Sequence, residues 1–176
     1  MISDDYRDLI TLKHDVRPWG GTGKSWVPML TELFAKIGPI ETVLDYGCGR
    51  GTLKPALEAA VEGVKVTEYD PGVRDKNTIP FAAYDYVVCT DVLEHVEEDK
   101  IDNVLVHIET LAVDGVFFVI VFTPCNSSLP DGRNTHILQR PRTWWDKKIA
   151  QHFGKNWGWI YHEEGSGRVV MSGLRV

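Results

Sequence analysis

The residues best placed by type and spacing to do chemistry begin in Glu41-Thr-Val-Leu-Asp-Tyr-Gly-Cys-Gly-Arg-Gly-Thr-Leu53. Gly47, Gly49 and Gly51 let the chain turn tightly and bring its backbone close to a ligand, with Asp45 ahead of them and Cys48 between them. A helix starting at Thr52 would present free N–H groups there, and these favour an anionic group. The pattern is G-x-G-x-G rather than the dinucleotide fingerprint G-x-G-x-x-G. Asp70 closes Val64-Lys-Val-Thr-Glu-Tyr-Asp-Pro71, at about the 20-residue interval where a carboxylate takes ribose hydroxyls. Together these are the parts of a nucleotide-cofactor cradle.

A second set follows the apolar run in Tyr84-Asp-Tyr-Val-Val-Cys-Thr-Asp-Val-Leu-Glu-His95. Side chains of Asp91–His95 emerge at the carboxyl end of that strand, where open α/β sheets bind ligands. His95 is a candidate base, because neutral imidazole accepts a proton near pH 7; its other role would be to brace the loop. Asp91 and Val92 are candidate cofactor contacts. Residues 123–136, Thr-Pro-Cys-Asn-Ser-Ser-Leu-Pro-Asp-Gly-Arg-Asn-Thr-His, form a long turn-rich connection of the kind that often serves a site. There Arg133 could clamp an anionic substrate and His136 could act as base, or Asp131-Gly132 is a turn and His136 a hydrogen-bonder at a helix entry.

The elements that must position these residues alternate. The pattern predicts strand 42–46, helix 52–61, strands 64–69 and 85–90, helix 99–111, strand 116–123 and helix 142–153. This is an α/β fold with a mostly parallel, Rossmann-like sheet and helices on both faces. Residues 157–162, a 163–167 turn and residues 168–172 read as a C-terminal β-hairpin. Residues 1–37 suggest a leader of two helices around the turn Pro18-Trp-Gly-Gly-Thr-Gly23, the second over about Trp26 to Lys36, ahead of a core at 38–176. One of Trp144 and Trp145 should pack the last helix onto the sheet.

The three segments resemble the class I S-adenosylmethionine-dependent methyltransferases. More narrowly, Asp45–Leu53, Tyr69-Asp-Pro71, Leu129–Asn134 and the Trp144-Trp145 pair resemble small methyltransferase-like proteins often encoded by bacteriophages. The resemblance implies S-adenosylmethionine held by Asp45, Gly47, Cys48, Gly49, Gly51, Asp70, Asp91 and Val92. It also implies a methyl acceptor with an oxygen or nitrogen nucleophile, and His95 and His136 as catalytic candidates. Between Asp70 and Tyr84 there is no room for the helix and strand usual at that point, so the sheet should lack one strand. The adenine contact from that strand then falls to Arg74, Thr90 or the 91–95 loop. Asp91, Glu94, His95 and His136 also resemble the Glu-x-x-Glu-His plus distant His metal set of small-RNA 3′-end 2′-O-methyltransferases, but Asp91 replaces a glutamate and no RNA-binding domain is present. No metal is therefore expected. Two alternative readings stay open: a regulatory or structural protein that binds the cofactor without turnover, and a metal-assisted RNA 2′-O-methyltransferase.

At 176 residues the chain suits one domain, and its net charge of −6 does not favour nucleic acid as partner. Gly20-Gly-Thr-Gly-Lys-Ser25 suggests a phosphate loop, but G-x-x-x-x-G-K-[ST] would need glycine at Pro18 and a strand before it. Instead, either this is a leader loop with Trp19 or Lys24 near the cofactor or substrate, or it is a plain helix–helix turn with Lys24 exposed. No signal peptide or membrane-length apolar run is visible, so a cytoplasmic protein with three reduced cysteines is expected. The oligomeric state is not legible.

Overall fold

The computed structural model describes residues 1–16, 19–165 and 167–176. Helix α1 spans Asp4–Val16 and α2 Val27–Ile37, the latter preceded by a 3₁₀ turn at Gly23–Trp26. Then come β1 (Thr42–Tyr46), α3 (Leu53–Ala60), β2 (Lys65–Tyr69), β3 (Tyr84–Thr90), α4 (Ile101–Leu111), β4 (Ala112–Val121), α5 (Arg142–Phe153), β5 (Trp157–Glu164) and β6 (Arg168–Arg175). One six-stranded sheet runs in the order β2-β1-β3-β4-β6-β5. The first four strands are parallel, and β6 and β5 are antiparallel additions.

Strand alternation sorts the sheet's side chains into two cores. Leu44, Tyr46, Val87, Cys89, Val116, Phe118 and Ile120 face α4 and α5. Val43, Tyr86, Val88, Phe117 and Val119 face α2 and α3. The helices supply matching stripes: Leu30, Leu33 and Phe34 in α2, Leu53 and Leu57 in α3, Ile101, Val104, Leu105, Ile108 and Leu111 in α4, and Trp145, Ile149 and Phe153 in α5. Residues 116–120 of β4 are buried on both faces, which is why they read as an unbroken apolar run.

Several boundaries differ from the sequence reading. β4 starts at Ala112, because Ala112 and Gly115 pair with β3 and Gly115 pairs with Leu174; the Asp114-Gly115 step that resembles a turn is sheet. β4 also ends at Val121 rather than 123. β6 runs on to Arg175 since Gly173 and Leu174 pair with Trp159 and Gly158. Residues 70–83 form turns with no helix or strand, as the short spacing required. In the hairpin turn Gly165 N–H donates to the Arg168 carbonyl at 3.1 Å. Pro18 of the expected leader turn, Arg17 before it and Ser166 of the expected hairpin turn lie outside the described residues. None of the helices described is long and apolar enough to cross a membrane.

Candidate active site

A cavity of about 350 Å³ opens at the carboxyl ends of β1–β4, beneath α1. Its floor is the glycine turn after β1. Gly47, Gly49 and Gly51 all have positive φ (80°, 49° and 69°), which side-chain-bearing residues adopt only at a cost. A Cβ on Gly47 would run into Val92, and one on Gly49 would lie 2.6 Å from the Gly20 carbonyl oxygen. The turn is fixed from β2: the N–H groups of Gly47 and Cys48 donate to the Tyr69 carbonyl at 2.7 and 3.0 Å. Asp70 accepts from Gly49 N–H through Oδ2 and from Gly72 N–H through Oδ1, both at 2.9 Å. The Gly20–Ser25 segment docks on this turn. Arg50 N–H donates to the Gly20 carbonyl at 2.8 Å, and Thr52 Oγ1 to the Gly21 carbonyl at 3.1 Å. It follows helix α1 rather than a strand, and Lys24 is exposed, so no phosphate loop forms.

Asp45, Gly47, Cys48, Gly49, Asp70, Asp91, Val92, His95 and His136 all line the cavity. Gly51 does not: it packs under Glu68 and Lys76. Trp19 and Thr90 line it, whereas Arg74 does not: it is exposed and pairs with Asp15 at 2.8 Å. Arg133 is likewise outside. Its Nε donates to Asp131 Oδ2 at 2.7 Å and its guanidinium lies 5.9 Å over the Tyr6 ring, so the expected clamp on a substrate anion is already engaged.

The cavity is acidic. Burial pushes the Asp45 carboxyl up to about 7, with Glu68 and Asp70 adding to the effect. Asp91 is also raised by burial, although Thr22 Oγ1 donates to its Oδ2 at 2.9 Å. Asp91 is the one residue other than glycine with positive φ among the described residues, 55°, an unusual backbone state that recurs at functional sites.

At the other end two imidazoles meet, their centroids 4.8 Å apart. His95 Nδ1 lies 2.7 Å from the Thr135 carbonyl, and His136 Nδ1 lies 2.6 Å from the Thr123 carbonyl. A carbonyl only accepts, so both Nδ1 atoms carry a proton, and in the neutral form of either ring the lone pair is on Nε2. His95 is enclosed by Trp19 and His136, and burial pushes it down to about 3. Glu94 is fully buried and its carboxyl is raised by burial; Val121 N–H donates to Oε1 at 3.1 Å, while Oε2 has no hydrogen-bond partner. One ligand atom from each of Glu94, His95 and His136 falls within 4.8 Å of the others. Asp91 stands outside this group, contrary to the four-residue set read from the sequence.

The sequence reading missed Tyr6, Ile10 and His14, which line the cavity from α1. Their signal was present as an i, i+4, i+8 stripe on one helical face.

A sequence profile described as a methyltransferase domain matches residues 17–165. No curated protein matches the chain. The fold is similar to magnesium protoporphyrin IX methyltransferase (ChlM) from Synechocystis PCC 6803, solved with S-adenosylhomocysteine bound: TM-score 0.63, 17% identity, 87% of this chain and 83% of that one covered. It is also similar to an O-methyltransferase family protein from Burkholderia thailandensis (TM-score 0.64, 16% identity, 98% of this chain but 59% of that one). The DhpI–S-adenosylhomocysteine complex matches with TM-score 0.60 and 18% identity over 97% of this chain and 93% of that one. With the glycine turn, the strand-end carboxylate and the sheet order in place, the profile match over most of its length means that the chain belongs to the methyltransferase-domain family of class I S-adenosylmethionine-dependent enzymes.

Proposed function

We propose that the cavity binds S-adenosylmethionine along the Gly47–Gly49 turn and Asp70, and that the protein directs its methyl group to an oxygen or nitrogen of a small acceptor. The observation that carries this reading is a single cavity with the glycine turn and Asp70 at one end and two imidazole Nε2 lone pairs at the other. The residues fit the cofactor. Bare backbone at Gly47 and Gly49 leaves room for close approach, Asp70 keeps lone pairs beyond its two backbone bonds, and Asp45 and Asp91 supply negative charge toward the ammonium and sulfonium. When bound, S-adenosylmethionine supplies an electrophilic methyl on a good leaving group.

The chain's own contribution is alignment and proton handling. His136 Nε2 takes the acceptor's proton, while Thr123 holds the ring in that tautomer through Nδ1. Trp19 and His95 wall off water at this end. The test is calorimetry with S-adenosylhomocysteine, followed by transfer of labelled methyl from S-adenosylmethionine to a panel of small hydroxyl and amine acceptors. Absence of binding would refute the assignment. Binding without any transfer would instead support a regulatory protein that has lost turnover.

One observation favours a second reading, metal-assisted O-methylation. Glu94 Oε2 is buried without a partner, and one ligand atom from each of Glu94, His95 and His136 lies within 4.8 Å of the others, a donor set that suits a divalent ion. A protonated Glu94 satisfies the same burial without an ion. Anomalous density joining Glu94, His95 and His136 in crystals grown with Mn²⁺, and methyl transfer abolished by EDTA, would establish the metal. Transfer that survives EDTA would exclude it.

A further inference from the structure

Helix α1 carries a polar atom that none of the roles above uses. Tyr6, Ile10 and His14 are spaced by four residues, so they share one face, and that face lines the cavity. His14 stands at the end nearest Asp70: the Asp70 carboxylate is its main electrostatic partner, and its ring lies 5.1 Å from Trp19. Contact with the turn after β2 is close. A Cβ on Gly72 would lie 2.8 Å from Ile10 Cγ1 and 3.2 Å from His14 Cδ2, so glycine at this position lets α1 seat against Asp70's own turn. His14 Nε2 is buried there and has no hydrogen-bond partner. A buried polar nitrogen left unpaired is costly, and a ligand in the adjoining cavity that reaches it restores the bond. Tyr6 repeats the pattern two turns away, where its hydroxyl is buried and unpaired within the cavity lining. The stripe therefore runs along the cavity for about 12 Å, at about 1.5 Å per residue.

We propose that His14 is a cofactor-binding residue, its Nε2 hydrogen-bonding the adenosine half of S-adenosylmethionine beside Asp70. The proposal rests on the reading that the cavity binds this cofactor. Asp70 accepts from ribose hydroxyls, and His14 closes the same edge from α1, where Arg74 is committed to Asp15 at the surface. Helix α1 is thus part of the cofactor site rather than a cover over it.

The test is calorimetry on the intact protein with two probes, S-adenosylhomocysteine and 5′-methylthioadenosine, the second lacking the amino-acid half. His14→Ala should weaken both by the same factor, about tenfold for one hydrogen bond. His14→Gln, which retains a polar group at similar reach, should recover part of the loss, and thermal unfolding without ligand should be unchanged in both variants. A loss confined to S-adenosylhomocysteine would overturn the adenosine assignment. Unchanged affinity of His14→Ala for both probes, with the wild type binding normally, would overturn the proposal alone. A wild type that binds neither probe would overturn the cofactor reading with it. Equal losses in His14→Gln and His14→Ala, accompanied by a lower unfolding temperature, would make His14 a structural residue and end the proposal.

Discussion

Replacing Asp45 with asparagine tests how the cavity handles charge. The carboxyl ends β1 at 4% exposure, and burial, with Glu68 and Asp70 adding to it, moves it from 3.8 to about 7. In the unfolded chain it returns to its ordinary value. Between about pH 4 and pH 7 the folded protein therefore holds a proton that the unfolded chain has lost. The group's contribution to stability falls as pH rises through that window and levels off above about pH 7. At about 1.4 kcal/mol per tenfold, the full cost of ionising it in the folded state is at most about 4.5 kcal/mol. Asparagine keeps the shape and cannot ionise. In urea unfolding without ligand, Asp45→Asn should match the wild type near pH 4 and exceed it at pH 8 by up to that amount. On the proposed reading the same carboxylate, once ionised, attracts the ligand's ammonium. Wild-type affinity for S-adenosylhomocysteine should accordingly rise by up to tenfold per pH unit from about pH 5 to pH 7 and then flatten, while the variant stays flat over this range. Stability curves of variant and wild type that run parallel from pH 4 to pH 8 would refute the reasoning, because the carboxylate would then be ionised throughout.

Asp70→Ala removes two backbone bonds as well as the ribose acceptors, so calorimetry should show about 1.5–3 kcal/mol weaker S-adenosylhomocysteine binding; unchanged affinity in a folded variant would reassign the ribose site. Gly47→Ala combines a φ of 80° with overlap on Val92, and should destabilise by about 1–3 kcal/mol in urea. Val92→Ala in the same chain should restore the steric part but not the backbone part. Once an acceptor is found, His136→Ala should lower turnover far more than cofactor affinity, and equal loss of both would remove it as the base.

The site's floor was legible because its signals are local. The glycines, Asp70 and the 91–95 loop each follow a strand that announces itself by alternation or by an apolar run, and parallel topology brings all strand ends to one side. What escaped depends on partners distant in the chain. His14 acquires meaning only when α1 seats on Gly72, and Thr22 Oγ1 holds Asp91, so only Glu94, His95 and His136 converge. Arg133 pairs with Asp131 two residues earlier and does not line the cavity, a placement that its charge alone did not reveal.

The choice between the two histidines shows the same limit. Both stand at strand ends, both donate through Nδ1 to a carbonyl, and residue type does not separate them. Burial does. A general base works best with a pKa near the working pH, and His95, pushed down to about 3 by desolvation, holds a proton too weakly to draw one from a hydroxyl at pH 7. Its neutral ring instead fixes the wall between Trp19 and His136. His136, the base we propose, is set on a loop that is tied internally: Leu129 N–H donates to the Arg133 carbonyl at 2.8 Å and Thr135 N–H to the Ser127 carbonyl at 3.0 Å. With its Nδ1 bonded to the Thr123 carbonyl as well, the His136 ring is oriented from both the loop and the strand end, which is what the proposed proton transfer at a fixed acceptor position requires.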